Sequence, residues 1–463
     1  MLFNSYEFIF CFLPIVTLVY YLIGKYKVSL ANPWLLVCSL FFYAYWNYHY
    51  LILLLGSILF NWEIGNRILN SVNLKMKKLF FCIGMVCDVA LLCYYKYVDF
   101  FIDNFNFVMG TSFTAWQIIL PLGISFFTIT QMVYLVDVRE GGVKDNNFVR
   151  YALFVSFFPH LLSGPILHHR PMMRQFADEK TKLFKSDTFI RGLMLFFIGL
   201  FKKTIIADNF IHIVDIGFSH NAALSFVDSW MIAWCYAFQL YFDFSGYSDM
   251  AVGVAQMLNI KIPINFNSPF RAKNVIDFWN RWHISLTNVI TDYLYVSVVQ
   301  LFKAPTFFIK LISTLITMTL IGFWHGAGWT YITYGAMHGV ALMANQTTKH
   351  KKIEIPHVLA RVCTIVFVLC GFVMFRAPDV EHALRIYEGM LGIHGVAPVL
   401  TVYGKPLLLL CVICLLIIFK FSNSNELIKQ MQWNWKWGIA FGAMSALAVM
   451  GVSKVTTFLY FQY

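Results

Sequence analysis

Charge is scarce in this chain. Of its 463 residues only 13% are Asp, Glu, Lys or Arg while 59% are hydrophobic; a soluble domain carries about 25% charged residues. With a mean hydropathy of +0.66, that deficit excludes a soluble enzyme and marks an integral membrane protein. Series of ten-residue alternating strands are absent, so the spans are helices rather than barrel strands. There is no soluble domain, low-complexity linker or internal repeat. The first apolar run lacks a basic leader and a small-residue cleavage site, and reads as a retained helix rather than a removable signal. The ten cysteines lie within or beside apolar runs. Cys411 and Cys414 form a C-x-x-C with no second pair or histidine nearby, which fits buried small hydrophobes better than zinc or redox ligands. No metal and no bound cofactor is expected. The net charge of +12 does not signal nucleic acid. Its clusters (Lys75, Lys77 and Lys78; Lys202 and Lys203; Lys349, Lys351 and Lys352) fall between apolar runs, where the positive-inside rule assigns them to the cytoplasmic side.

What the chain has instead is apolar runs from end to end, among them residues 8–24, 33–43, 51–60, 79–95, 230–242, 311–323, 362–375, 407–419 and 438–452. At about 20 residues per span they predict roughly eleven to fourteen spanning or re-entrant segments. Lys25 and Lys27 after the first run place the N-terminus outside. Following the C-terminal runs outward from the inside loop at 349–352 leaves residues 454–463 on the outer face and His325 deep in the membrane or toward its outer half. The whole chain, 1–463, reads as one transmembrane domain with an extracytoplasmic tail at 454–463. Residues 170–191 mix Arg174, Lys180, Lys182 and Lys185 with Phe176, Leu183, Phe184 and Phe189, which suits a helix on the headgroups and equally an ordinary charged loop.

Between residues 241 and 338 the sequence fills with Gly, Asn, Asp, Ser and Trp while staying among apolar runs. Irregular polar backbone survives at membrane depth only when buried in protein or lining a water-filled cavity, so a central chamber is expected here. Three histidines fall in this stretch: His283, His325 and His338. An unpaired ionisable group in hydrocarbon costs several kcal/mol, and imidazole can act as a general base near neutral pH, so all three are functional suspects. If 325–338 were one helix, the rise of about 20 Å would keep His325 and His338 from serving one centre; the residues themselves do not choose between them. Asp88 could line a path or pair with a neighbour. His168, His169 and Arg170 could meet phosphates or belong to a solvated loop. A transporter or flippase with a polar midplane site is the rival from another class, disfavoured by the missing inverted repeat.

The segments Tyr-Phe-Asp-Phe-Ser-Gly-Tyr-Ser-Asp-Met (241–250), Asn-Phe-Asn-Ser-Pro-Phe (265–270), Phe-Trp-Asn-Arg-Trp-His-Ile-Ser-Leu (278–286) and Phe-Trp-His-Gly-Ala-Gly-Trp (323–329), with Phe-Pro-His (158–160) and Ser-Gly-Pro-Ile (163–166) upstream, resemble the membrane-bound O-acyltransferase superfamily. The likeness is to its bacterial branch of polysaccharide and peptidoglycan O-acetyltransferases and teichoic-acid D-alanyl transfer proteins. It implies an all-α, multi-helix bundle with re-entrant helices around a central tunnel, multi-pass in the bacterial cytoplasmic (inner) membrane and in contact with its lipid. It further implies a cytosolic thioester donor, acetyl-CoA foremost, and O-acetylation of a cell-surface glycan, peptidoglycan or an alginate-like polysaccharide. D-alanyl transfer to teichoic acid is the alternative. With no soluble Ser-His-Asp domain in the chain, a separate periplasmic acetyltransferase of the SGNH type would finish the transfer. The family's catalytic histidine maps to His325 and its second polar histidine to His283, while His338 receives no role. Trp324, Trp329, Asn280 and Trp282 are the expected tunnel residues. The tail, residues 457–463, is similar to that of small membrane peptides accompanying D-alanyl transfer, where a tyrosine hydroxyl carries the acyl group. Tyr460 is therefore a candidate relay, with an interfacial aromatic anchor as the competing reading; a phenol of pKa about 10 needs a base such as His325.

Overall fold

A computed structural model describes residues 1–143, 146–219, 223–398, 400, 404–432, 434–453 and 456–459. All regular structure among them is helical. The chain groups into two compact units, residues 1–197 with 247–263 and residues 198–246 with 264–463. The helices are α1 (Phe8–Tyr26), α2 (Ala31–Ala44), α3 (His49–Asn70), α4 (Leu74–Leu92), α5 (Val98–Met109), α6 (Ile124–Arg139), α7 (Phe148–Ser156), α8 (His169–Ala177), α9 (Ser186–Phe201), α10 (Ile211–Ser219), α11 (Phe226–Met257), α12 (Val275–Trp279), α13 (Ile284–Val289), α14 (Val296–Gln300), α15 (Phe307–His325), α16 (Trp329–His350), α17 (His357–Arg376), α18 (Val380–Met390), α19 (Lys405–Lys420), α20 (Ser424–Gln430) and α21 (Trp435–Gly451).

Among the described residues, α1, α3, α15 and α17 are each long and apolar enough to cross a membrane alone, and α19 with α20 qualifies as a pair bent by 65°. That is fewer uninterrupted spans than the apolar runs predict. The difference lies in breaks: α2 stops after 14 residues, and α4 runs into a π-helical turn at Cys93–Tyr97. The 32-residue α11 carries Asp228, Asp243 and Asp249 along its length.

The first unit packs tilted and edge-on rings of Phe3, Phe8, Phe12, Phe42 and Phe158 together. Asp88, on α4, is buried and accepts a hydrogen bond from Asn61 Nδ2 at 2.9 Å, so it has the neighbour that burial of a carboxyl demands. The charged stretch at 170–191 is neither a bare loop nor one helix. Its first part is α8, which buries Met172, Met173 and Phe176. A 3₁₀ turn, Glu179–Lys182, then lets Lys182 Nζ donate to the carbonyls of Phe176 and Asp178 at 2.6 and 2.7 Å. His169 is not a loop residue in solvent either. It is buried with its ring 5.0 Å from Tyr134 and 5.2 Å from Phe154.

In the second unit one expectation from charge counting fails. Lys203 is 1% exposed and its Nζ donates to the carbonyl of Thr457 at 3.2 Å. It therefore cannot lie in a cytoplasmic loop while the tail lies on the opposite face. The positive-inside rule counts loop charges facing water, and Lys203 is buried against Asp208 and Asp243 instead.

Candidate active site

The second unit places His325 at the end of a tight helical hairpin. Thr306 starts α15, its side chain accepting from the Ile309 amide at 3.3 Å. Glycines let α15 and α16 approach closely, as small residues do between membrane helices. A Cβ on Gly322 would lie 2.2 Å from the Tyr331 carbonyl oxygen, and one on Gly335 would lie 2.4 Å from that of Met318. His325 is the last residue of α15 and is buried, with the rings of Phe375 and Tyr334 edge-on at 5.5 and 6.5 Å. Gly326, next in the chain, has extended backbone that any residue adopts. Glycine is needed there for space, because a Cβ would meet the Tyr331 ring at 2.2 Å.

The break at 326–328 puts His325 and His338 on different helices, so the separation argued for one continuous helix does not apply. What sets His338 apart is its bonding. Its Nδ1 accepts from Trp279 Nε1 at 3.2 Å, and the rings of Tyr334, Phe367 and Trp279 pack on it edge-on. Gly371 leaves room for it, since a Cβ there would fall 2.9 Å from Nε2. This is the environment of a histidine that organises a core.

His283 sits in a junction held by the two motifs around it. Asn265 accepts from the Ile284 amide with its carbonyl (3.0 Å) and from Ser285 Oγ with its side chain (2.6 Å). The Asn267 amide donates to the Arg281 carbonyl (2.9 Å), Arg281 Nη1 returns a bond to Asn267 O (3.2 Å), and Arg281 Nε pairs with Asp277 at 2.8 Å. His283 itself caps α13 with left-handed backbone, φ 46°, is 1% exposed, and stands edge-on to Phe244 at 4.7 Å. A non-glycine residue held there costs roughly 1–3 kcal/mol and persists only where the surroundings enforce it, commonly at functional sites.

The segment at 241–250 is not irregular backbone. It lies inside α11, and its small residues serve packing: a Cβ on Gly246 would lie 2.7 Å from the Gly199 carbonyl oxygen. Asp243 pairs with Lys203 at 2.7 Å. Of the expected tunnel residues, Asn280 lines a cavity of about 220 Å³ together with Trp279, Thr287, Thr314, Thr317 and Gln346. Trp282 belongs to the apolar core, stacked on Phe278 at 5.6 Å. Trp324 is half-buried beside His325, and Trp329 is 58% exposed, presenting an open face rather than an enclosed wall. Tyr460 lies outside the described residues. Sequence reading missed Thr314, Thr317 and Gln346. Thr314 and Thr317 carried a signal, polar side chains three apart inside the apolar run at 311–321, whereas Gln346 on α16 carried none.

Residues 22–377 match the model of the membrane-bound O-acyltransferase family. The chain belongs to that family. It is 38% identical to a peptidoglycan O-acetyltransferase of Helicobacter pylori, an alignment covering 100% of this chain and 98% of the relative. It is 37% identical to a probable alginate O-acetylase of Pseudomonas aeruginosa over 84% of this chain and 75% of the relative. A teichoic acid D-alanyltransferase of Bacillus subtilis matches at 33% over 56% of this chain and 70% of the relative. The protein is thus a multi-pass membrane enzyme that transfers an acyl group to oxygen, and the transporter reading falls away.

Proposed function

We propose that this O-acyltransferase takes acetyl from acetyl-CoA at the cytoplasmic face of the bacterial inner membrane and delivers it outward for O-acetylation of a cell-surface glycan. Peptidoglycan is the first candidate acceptor and an alginate-like polysaccharide the second, with an SGNH-type periplasmic partner completing the transfer. The observation that carries the substrate class is the end-to-end alignment with a peptidoglycan O-acetyltransferase; the D-alanyl relative aligns over only 56% of the chain. His325 is the proposed general base, Tyr460 the proposed first acceptor, and His283 orients the donor or stabilises charge. Two features support the role of His325. It is buried at the end of a hairpin whose glycines, Gly322 and Gly326, leave no room for a side chain against Tyr331. The cavity residues Thr314, Thr317 and Met318 precede it on α15, and Met318 shares its helix face about 10 Å along the axis, a distance that a donor's extended arm can cover.

The test is incubation of the purified protein in nanodiscs with radiolabelled acetyl-CoA, comparing wild type, His325→Ala and Tyr460→Phe. Loss of the base should cost about 10²–10⁴ in thioester cleavage. Label retained on wild type and absent from both variants supports the relay. Wild-type turnover unchanged by His325→Ala removes the assignment of the base, and label acquired only from a D-alanyl carrier moves the reading to teichoic acid.

A further inference from the structure

The second unit buries three charges that the acyl-transfer chemistry does not use. Lys203 Nζ lies 2.8 Å from Asp208 Oδ1 and 2.7 Å from Asp243 Oδ1, with all three side chains nearly inaccessible. A buried ion cluster recovers its desolvation cost only when its remaining lone pairs and protons are also satisfied. Here each member's remaining capacity goes to one short stretch, residues 456–459. Thr456 Oγ1 donates to Asp208 Oδ2 at 2.6 Å. Lys203 Nζ donates to the Thr457 carbonyl at 3.2 Å. The Phe458 ring lies 5.0 Å from the same ammonium, within cation–π range. The Leu459 amide donates to Asp243 Oδ2 at 3.0 Å. Two of these contacts read main chain, so they fix the path and register of the segment rather than its side chains.

The helix before the tail is seated on the same element. Thr204 Oγ1 donates to the Ala448 carbonyl at 3.1 Å, and a Cβ on Gly451 would lie 2.8 Å from the Thr204 side chain. The π-helical turn Lys202–Ile206 therefore holds both α21 and the segment after it.

We infer that Lys203, Asp208 and Asp243 form a docking site for the chain's own C-terminal segment, residues 456–459, and act as positioning residues that set where Tyr460 begins. The cluster is incomplete without the tail. Removing the tail strips a hydrogen-bond partner from every member of a buried charged group, and removing Lys203 leaves two carboxylates facing each other. The purpose of the docking rests on the tyrosine relay proposed above; its existence does not.

The experiment is hydrogen–deuterium exchange on the full-length protein in nanodiscs, read in peptides covering 450–459 and in the helices α9 and α11, with acetyl transfer measured on the same samples. The variants are Lys203→Met, Lys203→Arg, Leu459→Pro and Tyr460→Phe. Leu459→Pro deletes the amide that Asp243 accepts and leaves every buried charge in place, so it reports on docking even if Lys203→Met does not fold. Docking predicts that Leu459→Pro and Lys203→Met speed exchange at Thr457 and Phe458 by at least roughly tenfold while α9 and α11 stay protected, with Lys203→Arg close to wild type. Tail exchange in Leu459→Pro equal to wild type overturns the docking site, as does loosening of α9 and α11 to the same degree as the tail. The relay is judged separately. A freed tail with full transfer in Tyr460→Phe keeps the docking and removes the relay; transfer lost in Tyr460→Phe with an unmoved tail in Leu459→Pro does the reverse.

Discussion

Substituting Gly322 with alanine adds one methyl group to α15, one turn before His325, and the structure sets its size of effect. The new Cβ would sit 2.2 Å from the Tyr331 carbonyl oxygen and 2.8 Å from Gly335 Cα, where ordinary contact begins at 3.4 Å. Both obstacles are backbone, so neither can rotate away. The hairpin must open by about 1 Å, and a misplacement of that size near reacting groups costs on the order of 10²-fold in rate. Overpacking of this kind also destabilises by about 1–3 kcal/mol. The matched control is Gly56→Ala in α3, where nothing lies within 4 Å of the added carbon; the change should leave transfer unaltered and gain up to about 1 kcal/mol from helix propensity. The assay is acetyl transfer per folded molecule, with folding followed by thermal unfolding in detergent. Gly322→Ala retaining transfer within about twofold of wild type would refute the claim that this close approach positions His325.

Other consequences follow from single contacts. Trp279→Phe should leave His338 Nδ1 without its donor and lower stability by about 1–3 kcal/mol, while the double variant Trp279→Phe, His338→Leu should recover part of that loss, because deleting both partners costs less than orphaning one; thermal unfolding of the four proteins in the cycle measures it. Asp379 caps α18, accepting from the His382 amide at 2.8 Å and pairing with the His382 ring. These bonds, the backbone one first, hold its carboxyl below the usual carboxylate range. Its contribution is therefore complete above the unfolded value of about 4 and disappears as pH falls through the lower folded value. Exchange of the α18 amides should rise under acid once intrinsic rates are divided out, and rise at all pH values in Asp379→Ala. Thr317→Val keeps shape and removes the hydroxyl from the cavity wall; it should raise KM for the donor several-fold with kcat nearly constant, and an unchanged KM removes that cavity from the donor path.

Much of this was legible because composition and periodicity report on solvent. Scarce charge and recurrent apolar runs give the membrane and the helices directly. The two tryptophan-flanked histidines stand out because ionisable groups at depth are costly. What stayed hidden depends on partners distant in sequence. Lys203 reads as a loop cation until Asp208, Asp243 and Thr457 are seen around it. His169 looks like the start of a charged loop, yet lies against Tyr134 and Phe154. The Gly-Ser-Asp density at 241–250 mimics a loop, although in α11 the same small residues allow close helix contact.

The second unit also separates motif density from chemical density. Most of the polar residues that distinguish residues 265–286 are spent on one another: Asn265 on Ile284 and Ser285, Asn267 on Arg281, and Arg281 on Asp277. Asn423 of the α20 cap closes the same junction through Asn267 Oδ1 at 3.0 Å. A frame this fully bonded has little freedom to relax, which is what allows His283 to be held in left-handed backbone. In the proposed mechanism the chemistry is left to a few groups that the frame and the hairpin present: His325 at the helix end, His283 at the junction, and Asn280 and Thr317 on the cavity wall. Substitutions within the frame should accordingly lower the amount of folded protein before they alter its turnover, and substitutions among the presented groups should do the opposite.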